Sequence, residues 1–276
     1  MSATLLEGRG LSRDHHQPRR TLLGPAPVRR VLHDVDIDIH TGETVAIIGE
    51  SGSGKSTLVR ILLGLQRATT GTVSFAGQPV APGRASRQRW LRRRTGIVLQ
   101  DPYASLDPRL TVARIIAEPL RSLHIEANHR TLISEVLDQV ELPRELAASY
   151  PHALSGGQRQ RVAIARAIVH GPELLVGDEP MSALDVTVRA SILELLRRLQ
   201  AERGMGLVLV SHDLGLVRHF AERVVVMKDG RIVERGRTAE LFHHPRHDYT
   251  ASLVAAIPKF PEPGQWPNRA PETTKE

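Results

Sequence analysis

Short apolar runs that end in glycine or polar residues recur along the chain and predict buried strands. Four of them are TVAIIG (44–49), GIVLQ (96–100), ELLVGDEP (173–180) and LVLVSHD (207–213). Runs of this kind place apolar residues on both faces of a strand, which is typical of parallel sheets covered by helices. They therefore predict a mostly parallel central sheet.

Between these runs the apolar residues follow the spacing of helices. STLVRILLGL (56–65) is apolar almost all round and predicts a buried helix. From 187 to 202, one helical face collects Val188, Ile192, Leu195, Leu196 and Leu199. Residues 101–170 are predicted to be largely helical, with breaks at Pro108, Pro119, Pro143 and Pro151.

Alternating segments bounded by glycine predict hairpins. One is GTVSFAG (71–77), and the other is RVVVMKDGRIVERG (223–236), which turns at Asp229-Gly230. The first 30 residues are basic and interrupted by prolines, and we interpret them as an edge strand and a loop. Residues 259–276 are rich in proline and charge and are predicted to be disordered.

Strands flank a helical stretch, which predicts an α/β fold with a helical insertion. We expect the core at about 31–100 and 171–240 and the insertion at about 101–170. The chain of 276 residues is long enough for a sizeable core. Only 3% of its residues are aromatic, so that core must be mostly aliphatic.

Composition excludes several kinds of site. There is no cysteine, which rules out disulfides, thiolate metal sites and cysteine-held iron–sulfur clusters. The first ten residues lack the apolar stretch of a signal peptide. No apolar run approaches the roughly 18 residues that span a bilayer, so we do not expect the chain to cross a membrane by itself.

The net charge of +7 comes mostly from arginine, with the densest cluster in RASRQRWLRRR (84–94). Such a cluster suits either a solvated surface or a patch that binds nucleic acid or anionic lipid. Trp90 is its one aromatic residue, so stacking on bases is poorly supported. No nucleic-acid partner is expected.

GESGSGKS (49–56) matches the G-x-x-x-x-G-K-[ST] pattern of a phosphate-binding loop. A strand is predicted before it and a helix after it, as the pattern requires. In such loops backbone N–H groups surround the β-phosphate, the lysine reaches the β- and γ-phosphates, and the hydroxyl binds Mg²⁺. Lys55 and Ser56 are the candidates here.

Asp178 and Glu179 follow the apolar run ELLV and Gly177. At the carboxyl end of a strand, Asp178 should lie beside the loop as a second metal-side acid. Glu179 can polarise a water in line with the γ-phosphate. Gly177 weakens strand packing, and the pattern indicates no role for it. No N-K-x-D guanine motif occurs, which favours ATP over GTP.

LSGGQRQR (154–161) predicts a second anion site. Ser155 can cap the following helix, and the glycines let backbone N–H groups approach a ligand. The helical insertion separates this segment from the first loop, so it would most simply bind the phosphate of a partner subunit. Two chains would then sandwich two nucleotides head to tail.

Taken together, these motifs resemble the ATP-binding subunits of ABC transporters, in the order of that family. GESGSGKST resembles Walker A, Gln100 the Q-loop glutamine, LSGGQ the signature, LLVGDE Walker B, SALD the D-loop and His212 the switch histidine. The resemblance covers about 1–257. It implies a P-loop NTPase (RecA-like) core with an antiparallel β subdomain and an inserted α-helical subdomain.

The resemblance also implies roles. The catalytic set would be Glu179 as base with Gln100, His212 and Lys55, and Mg²⁺ would be held by Ser56, Asp178 and Gln100. The triphosphate would be bound by Gly49, Glu50, Ser51, Gly52, Ser53, Gly54, Lys55, Ser56 and Thr57. The partner's nucleotide would be bound by Ser155, Gly156, Gly157 and Gln158, with Asp185 in the D-loop.

Two peripheral segments resemble importers of oligopeptides, dipeptides and nickel. One is LQDPYASLDPRLTV (99–112), whose residues 103–109 are candidates for the groove that contacts membrane subunits. The other is the C-terminal segment 240–258, where His247-Asp248-Tyr249-Thr250 replaces the usual His-Pro-Tyr-Thr. The family usually stacks adenine on an aromatic residue, and alignment places His15 there, which offers less stacking area.

The resemblance implies a peripheral subunit at the cytoplasmic face of the cell membrane. Its partners would be two transmembrane permeases, a second ABC ATPase (a paralogue or a second copy) and an extracytoplasmic solute-binding protein. Three other functions remain open: an exporter ATPase, a soluble ABC ATPase acting on ribosomes or nucleic acid, and a regulatory subunit without turnover. The sequence does not identify the cargo.

Overall fold

The computed structural model describes residues 3–16, 27–84, 86–100, 105–181 and 184–257. Within these ranges the chain forms ten strands in two sheets. The predicted disordered tail 259–276 and the first part of the 103–109 segment lie outside them. The strands are β1 (Thr4–His16), β2 (Val28–His40), β3 (Thr44–Ile48), β4 (Thr70–Phe75), β5 (Gln78–Val80), β6 (Thr95–Val98), β7 (Leu174–Asp178), β8 (Gly206–Ser211), β9 (Arg223–Lys228) and β10 (Arg231–Arg237).

The larger sheet has the order β10-β9-β3-β8-β7-β6. Strands β9, β3, β8, β7 and β6 are parallel neighbours, and β10 pairs antiparallel with β9. Every residue of β3 and β8 is buried. This confirms the mostly parallel buried sheet that the apolar runs predict, and it brings the carboxyl ends of β3, β6, β7 and β8 to one edge.

The smaller sheet is antiparallel, in the order β2-β1-β4-β5. The prediction that the first residues form an edge strand was wrong, because β1 lies between β2 and β4 and pairs with both. Leu6 and Leu11 of β1 are buried in the same core cluster as Ile37. Pairing with distant strands, which local patterns do not report, places β1 in the interior of the sheet.

The helices are α1 (Lys55–Leu62), α2 (Arg89–Arg94), α3 (Val112–Ser122), α4 (His129–Gln139), α5 (Gly156–Ile168), α6 (Val186–Arg203), α7 (Leu214–Phe220), α8 (Thr238–His243) and α9 (Asp248–Ala255). Short 3-10 helices lie at Arg144–Ala148 and Pro151–Ala153. The α3, α4 and α5 helices lie between β6 and β7, within the stretch predicted as the insertion.

The break predicted at Pro119 was wrong, because α3 continues through it. The side chains of Ile115, Ile116 and Leu120 are buried in the same core cluster, and Leu123 N–H donates to the Pro119 carbonyl at 2.9 Å. Burial of this apolar face offsets the hydrogen bond that proline removes.

Three apolar clusters hold the elements in place. One joins α3, α4 and α5 to α6 and to one face of the larger sheet, one lies between the two sheets around α1, and one packs α7, α8 and α9 onto β3 and β9. The strand-edge residues that follow β3, β6, β7 and β8 are therefore supported from both faces of the sheet. No helix among the described residues has the length and apolar character of a membrane span.

Candidate nucleotide site

The loop between β3 and α1 depends on glycine at two positions. Gly49 has φ 147°, and a Cβ there would lie 2.1 Å from the Met227 carbonyl oxygen. Gly54 caps α1 with φ 102°, and a Cβ there would lie 2.8 Å from Leu32. Other residues are strained at such angles, so the glycines allow the loop to pass close to its neighbours.

Lys55 lies under this loop and is only 5% exposed. Its Nζ donates to the carbonyl oxygens of Gly49 at 2.7 Å and Glu50 at 2.8 Å. Burial lowers the pKa of Lys55, while the charges of Glu179 and Asp178 oppose this shift. A polyphosphate in the loop would favour the charged ammonium further.

Ser56 Oγ donates to Asp178 Oδ1 at 3.0 Å, which joins the start of α1 to the end of β7. Burial raises the pKa of Asp178, and the Ser56 hydrogen bond opposes the rise. A hydroxyl and a carboxylate are hard oxygen ligands that suit Mg²⁺. Ser53 Oγ is buried and has no hydrogen-bond partner among the described residues, which fits a loop shaped for a polar ligand.

Three predicted catalytic residues meet at Glu179. Gln100 Nε2 donates to Glu179 Oε2 at 3.1 Å, and His212 Nδ1 lies 3.4 Å from the same oxygen. Glu179 has φ 48°, an uncommon value for a residue with a side chain, and its N–H donates to the Val210 carbonyl. The three residues follow β6, β7 and β8, so the sheet edge brings them together.

An open cleft of about 660 Å³ adjoins the loop. It is lined by Val31, Glu50, Ser51, Gly52, Gly54, Lys55, Ser56, Thr57, Gln100, Glu179 and His212. A neighbouring cleft of about 520 Å³ shares Val31, Gly52 and Thr57 and is lined by His15, Arg29 and His33. His15 is exposed there, with Nε2 3.3 Å from Gln66 Nε2. The structure thus places His15 beside the phosphate loop.

Ser155 begins α5 with a capping box, as the sequence predicts. Its Oγ accepts from Gln158 N–H at 3.2 Å, and Gln158 Oε1 accepts from Ser155 N–H at 2.9 Å. A Cβ at Gly157 would lie 2.9 Å from Val188. Residues 155–158 are not among the described residues that line the cleft at the phosphate loop. Asp185 instead caps α6 by accepting from Val188 N–H at 2.9 Å.

The structure gives a role to Gly177. A Cβ there would lie 2.8 Å from Pro180 Cγ and 3.2 Å from Leu209 Cδ1. Glycine therefore lets the turn after Asp178 fold back onto the strand. The sequence marked the residue as unusual in a strand but offered no reason for it.

Two supporting residues were missed from the sequence. Arg189 on α6 donates to Asp213 Oδ2 at 2.7 Å and to the Leu184 carbonyl at 3.1 Å, and so links the segments around Asp185 and His212. Tyr249 on α9 accepts a hydrogen bond from Glu50 N–H. A basic residue on a helix and a tyrosine near the C-terminus carry no local signal of such contacts.

The basic cluster at 84–94 is partly engaged within the protein. Arg93 donates to the carbonyls of Leu123 and His124, and Arg94 pairs with Glu173 at 2.6 Å. The guanidinium carbon of Arg94 also lies 4.8 Å from the centre of the Phe75 ring. These two arginines therefore serve internal packing.

Comparison with known proteins finds a match to the family model described as ABC transporter over residues 32–182. The chain is 44% identical over 228 residues to the oligopeptide transport ATP-binding protein OppF of Lactococcus lactis, covering 82% of this chain and 72% of that protein. It is 42% identical over 274 residues to OppF of Bacillus subtilis, covering 98% and 87%.

Two solved structures share the fold. One is a dimeric post-hydrolysis state of the ATP-binding cassette MJ0796 bound to ADP and Pi, with a TM-score of 0.74 and 31% identity over 85% of this chain and 99% of that one. The other is cbiO1 from Clostridium perfringens, part of the transporter complex cbiONQ, with a TM-score of 0.74 and 28% identity over 87% and 91%. These matches confirm the predicted P-loop NTPase fold class.

Proposed function

The chain belongs to the ABC transporter family, and from that premise we propose that it is the ATP-hydrolysing motor of an oligopeptide importer. The observation that carries the proposal is the meeting of Gln100, Glu179 and His212 in the cleft beside Lys55 and Ser56. The names of the OppF relatives support oligopeptides as the cargo, and a relative from Brucella ovis that is named a putative peptide import ATP-binding protein supports import as the direction. They disfavour the exporter alternative.

ATP is the substrate of the proposed reaction. Backbone N–H groups within residues 51–57 and the Lys55 ammonium bind its phosphates, and His15, in the cleft beside the loop, would stack on the adenine ring. Ser56 and Asp178, with Gln100, would hold Mg²⁺, which neutralises phosphate charge when bound. Gln100 orients the attacking water, Glu179 accepts its proton, and His212 contacts the γ-phosphate.

The site is completed by a second ATPase subunit. Ser155, Gly156, Gly157 and Gln158 lie outside the cleft of their own chain. The capping box uses the N–H groups of Ser155 and Gln158, and those of Gly156 and Gly157 lie in the first helical turn, where N–H groups have no backbone partner within the helix. We assign them to the γ-phosphate of a partner's nucleotide in a head-to-tail dimer. The dimeric MJ0796 cassette supports this arrangement.

The remaining partners are two transmembrane permeases and an extracytoplasmic solute-binding protein. The chain would sit peripherally at the cytoplasmic face of the membrane, with the segment around residues 103–109 against the permeases. ATP binding would close the ATPase dimer, and hydrolysis would reopen it. The permeases would alternate between conformations in response.

Affinity purification tests the assembly. The tagged chain is recovered from mildly solubilised membranes of the native host, and its partners are identified by mass spectrometry. We expect two multi-span permeases, a paralogous ATPase and a solute-binding protein. Recovery of ribosomes, or of no membrane protein, would contradict the proposal and favour the soluble-ATPase alternative.

Uptake tests the cargo and direction. A host strain lacking this chain is supplied with labelled oligopeptides, dipeptides or Ni²⁺, and the wild-type chain is restored. Uptake of oligopeptide should return with the wild type and with Glu194→Gln, whose side chain is 75% exposed, but not with Glu179→Gln. Restored uptake of only dipeptide or Ni²⁺ would reassign the cargo.

A further inference from the structure

The C-terminal helix α9 makes a direct hydrogen bond to the phosphate loop. Tyr249 Oη accepts from Glu50 N–H at 3.0 Å, across 199 positions of sequence. Tyr249 is 7% exposed and belongs to the same apolar cluster as Ile48 and Val226. Burial raises the pKa of the Tyr249 phenol above its usual value of about 10, so the hydroxyl stays protonated at neutral pH.

The position of Tyr249 is fixed by a short chain of contacts. Both carboxylate oxygens of Glu234 on β10 accept backbone hydrogen bonds, one from Arg246 N–H at 2.9 Å and one from His247 N–H at 3.1 Å. His247 Nδ1 then caps α9 by accepting from Tyr249 N–H at 3.1 Å. Asp248 is the first helical residue, where an acidic side chain is favourable, so the loss of the usual proline leaves the helix start intact.

Lys228, at the end of β9, lies over the aromatic ring of Tyr249. Its Nζ is 4.8 Å from the centre of the Tyr249 ring. The turn that follows β9 holds a second point of the phosphate loop, since Gly230 N–H donates to the Ser53 carbonyl at 3.0 Å. The loop is therefore held from the C-terminal third of the chain at both Glu50 and Ser53.

The Glu50 N–H and the Gly49 carbonyl belong to one planar peptide unit and point in opposite directions. The N–H side binds Tyr249, and the carbonyl side accepts from Lys55 Nζ at 2.7 Å. Rotation of this peptide plane would break both hydrogen bonds. The Tyr249 hydroxyl therefore fixes the orientation of a carbonyl that holds the lysine of the phosphate loop.

We infer that Tyr249 is a positioning residue for ATP binding, which acts on Lys55 through the peptide unit between Gly49 and Glu50. This inference rests on the proposed nucleotide site. It assigns α9 a role in the nucleotide site in addition to its packing against the sheet.

The test is Tyr249→Phe in the full-length chain, which removes the hydroxyl and keeps the ring. We expect the KM for ATP with Mg²⁺ to rise about three- to tenfold, because the Glu50 N–H loses its partly buried partner and the loop loosens. The kcat should fall less than threefold. A merely structural role would lower the active fraction, and hence the apparent kcat, without raising KM.

Ser252→Ala is the matched control, because it removes a hydroxyl of the same helix that donates to the Tyr249 carbonyl and not to the loop. Its KM should stay within twofold of the wild-type value. Amide hydrogen exchange of the peptide spanning residues 49–53 should accelerate in Tyr249→Phe and not in Ser252→Ala. An unchanged KM together with unchanged exchange would overturn the inference.

Lys55→Ala separates this inference from the site on which it rests. If Lys55→Ala abolishes ATP binding while Tyr249→Phe changes nothing, the nucleotide site stands and only the role of Tyr249 fails. If Lys55→Ala leaves ATP binding unchanged, the proposed site itself fails.

Discussion

Gln100 Nε2 donates a hydrogen bond to Glu179 Oε2 over 3.1 Å, between residues 79 positions apart. The two side chains come from the ends of neighbouring parallel strands β6 and β7. His212, at the end of β8, lies 3.4 Å from the same oxygen. A carboxylate held between an amide and an imidazole at the edge of the cleft is suitably placed to accept a proton from a water molecule.

Glu179→Gln is expected to reduce ATP hydrolysis at least about a hundredfold, because an amide cannot act as a general base. ATP binding should be retained, since the change conserves shape and leaves Lys55 and Ser56 in place. Hydrolysis is measured as phosphate release and binding by equilibrium titration. The control is Glu194→Gln on the exposed face of α6. Steady hydrolysis by Glu179→Gln near the wild-type rate would refute the assignment of the base.

Asp178→Asn is expected to leave the nucleotide-free chain at pH 7 as stable as the wild type or more stable. Burial raises the pKa of Asp178, so its ionised form opposes folding at any pH above that raised pKa. The gain should shrink as pH falls through the raised pKa, where the wild-type carboxyl becomes neutral. The rise in Tm on adding ATP and Mg²⁺ should be lost, because a metal-side carboxylate is missing.

Thermal unfolding over a range of pH, with and without ATP and Mg²⁺, measures both effects. Asp138→Asn is a control of opposite sign, because the hydrogen bond from Arg144 lowers the pKa of that exposed carboxyl. A lower Tm of nucleotide-free Asp178→Asn, combined with an intact response to ATP and Mg²⁺, would contradict the role given to Asp178.

His15→Tyr is expected to tighten ATP binding about two- to fivefold, and His15→Ala to weaken it by a similar factor. A phenol ring offers a larger stacking surface than an imidazole. Titration with ATP and with inorganic triphosphate tests the cause, because only the ligand with an adenine should respond. His244→Ala, at an exposed histidine remote in sequence, serves as control. Equal ATP affinity of His15→Tyr and His15→Ala would show that the side chain at position 15 does not stack on adenine.

Gly177→Ala is expected to lower the free energy of unfolding by about 1–3 kcal/mol, because the added methyl overlaps Pro180 and Leu209. The turn that carries Glu179 should shift with Pro180, so kcat should fall as well. Gly236→Ala in β10 is the matched control, since a Cβ there meets nothing within 4 Å. Denaturant unfolding and phosphate release give the two readouts. A wild-type free energy of unfolding for Gly177→Ala would contradict this prediction, because it would show that Pro180 and Leu209 move aside without loss of stability.

Local patterns in the sequence were sufficient for much of the site. The apolar run before Gly49 and the helix after it predicted the phosphate loop, and the Ser155 cap was predicted from its residue type and neighbours. Asp229-Gly230 predicted its hairpin, where both residues have positive φ. These features depend on residues within a few positions of one another, whose backbone preferences and burial pattern act locally.

Other features depended on contacts between distant parts of the chain. The central place of β1 follows from its pairing with both β2 and β4, and the continuity of α3 through Pro119 follows from burial of one helical face. In each case the free energy of tertiary contact outweighed a local preference.

The sequence by itself thus determined the family, and it predicted the phosphate loop and the residues at the ends of the strands, because each depends on residue type at short spacing. Only the tertiary structure places Gln100 and His212 against the same carboxylate oxygen of Glu179, and Tyr249 against the Glu50 N–H. Such contacts depend on strand order and on the packing of α9 against the sheet. Neither property has a short-range signature, because segments up to 199 positions apart must first fold against each other.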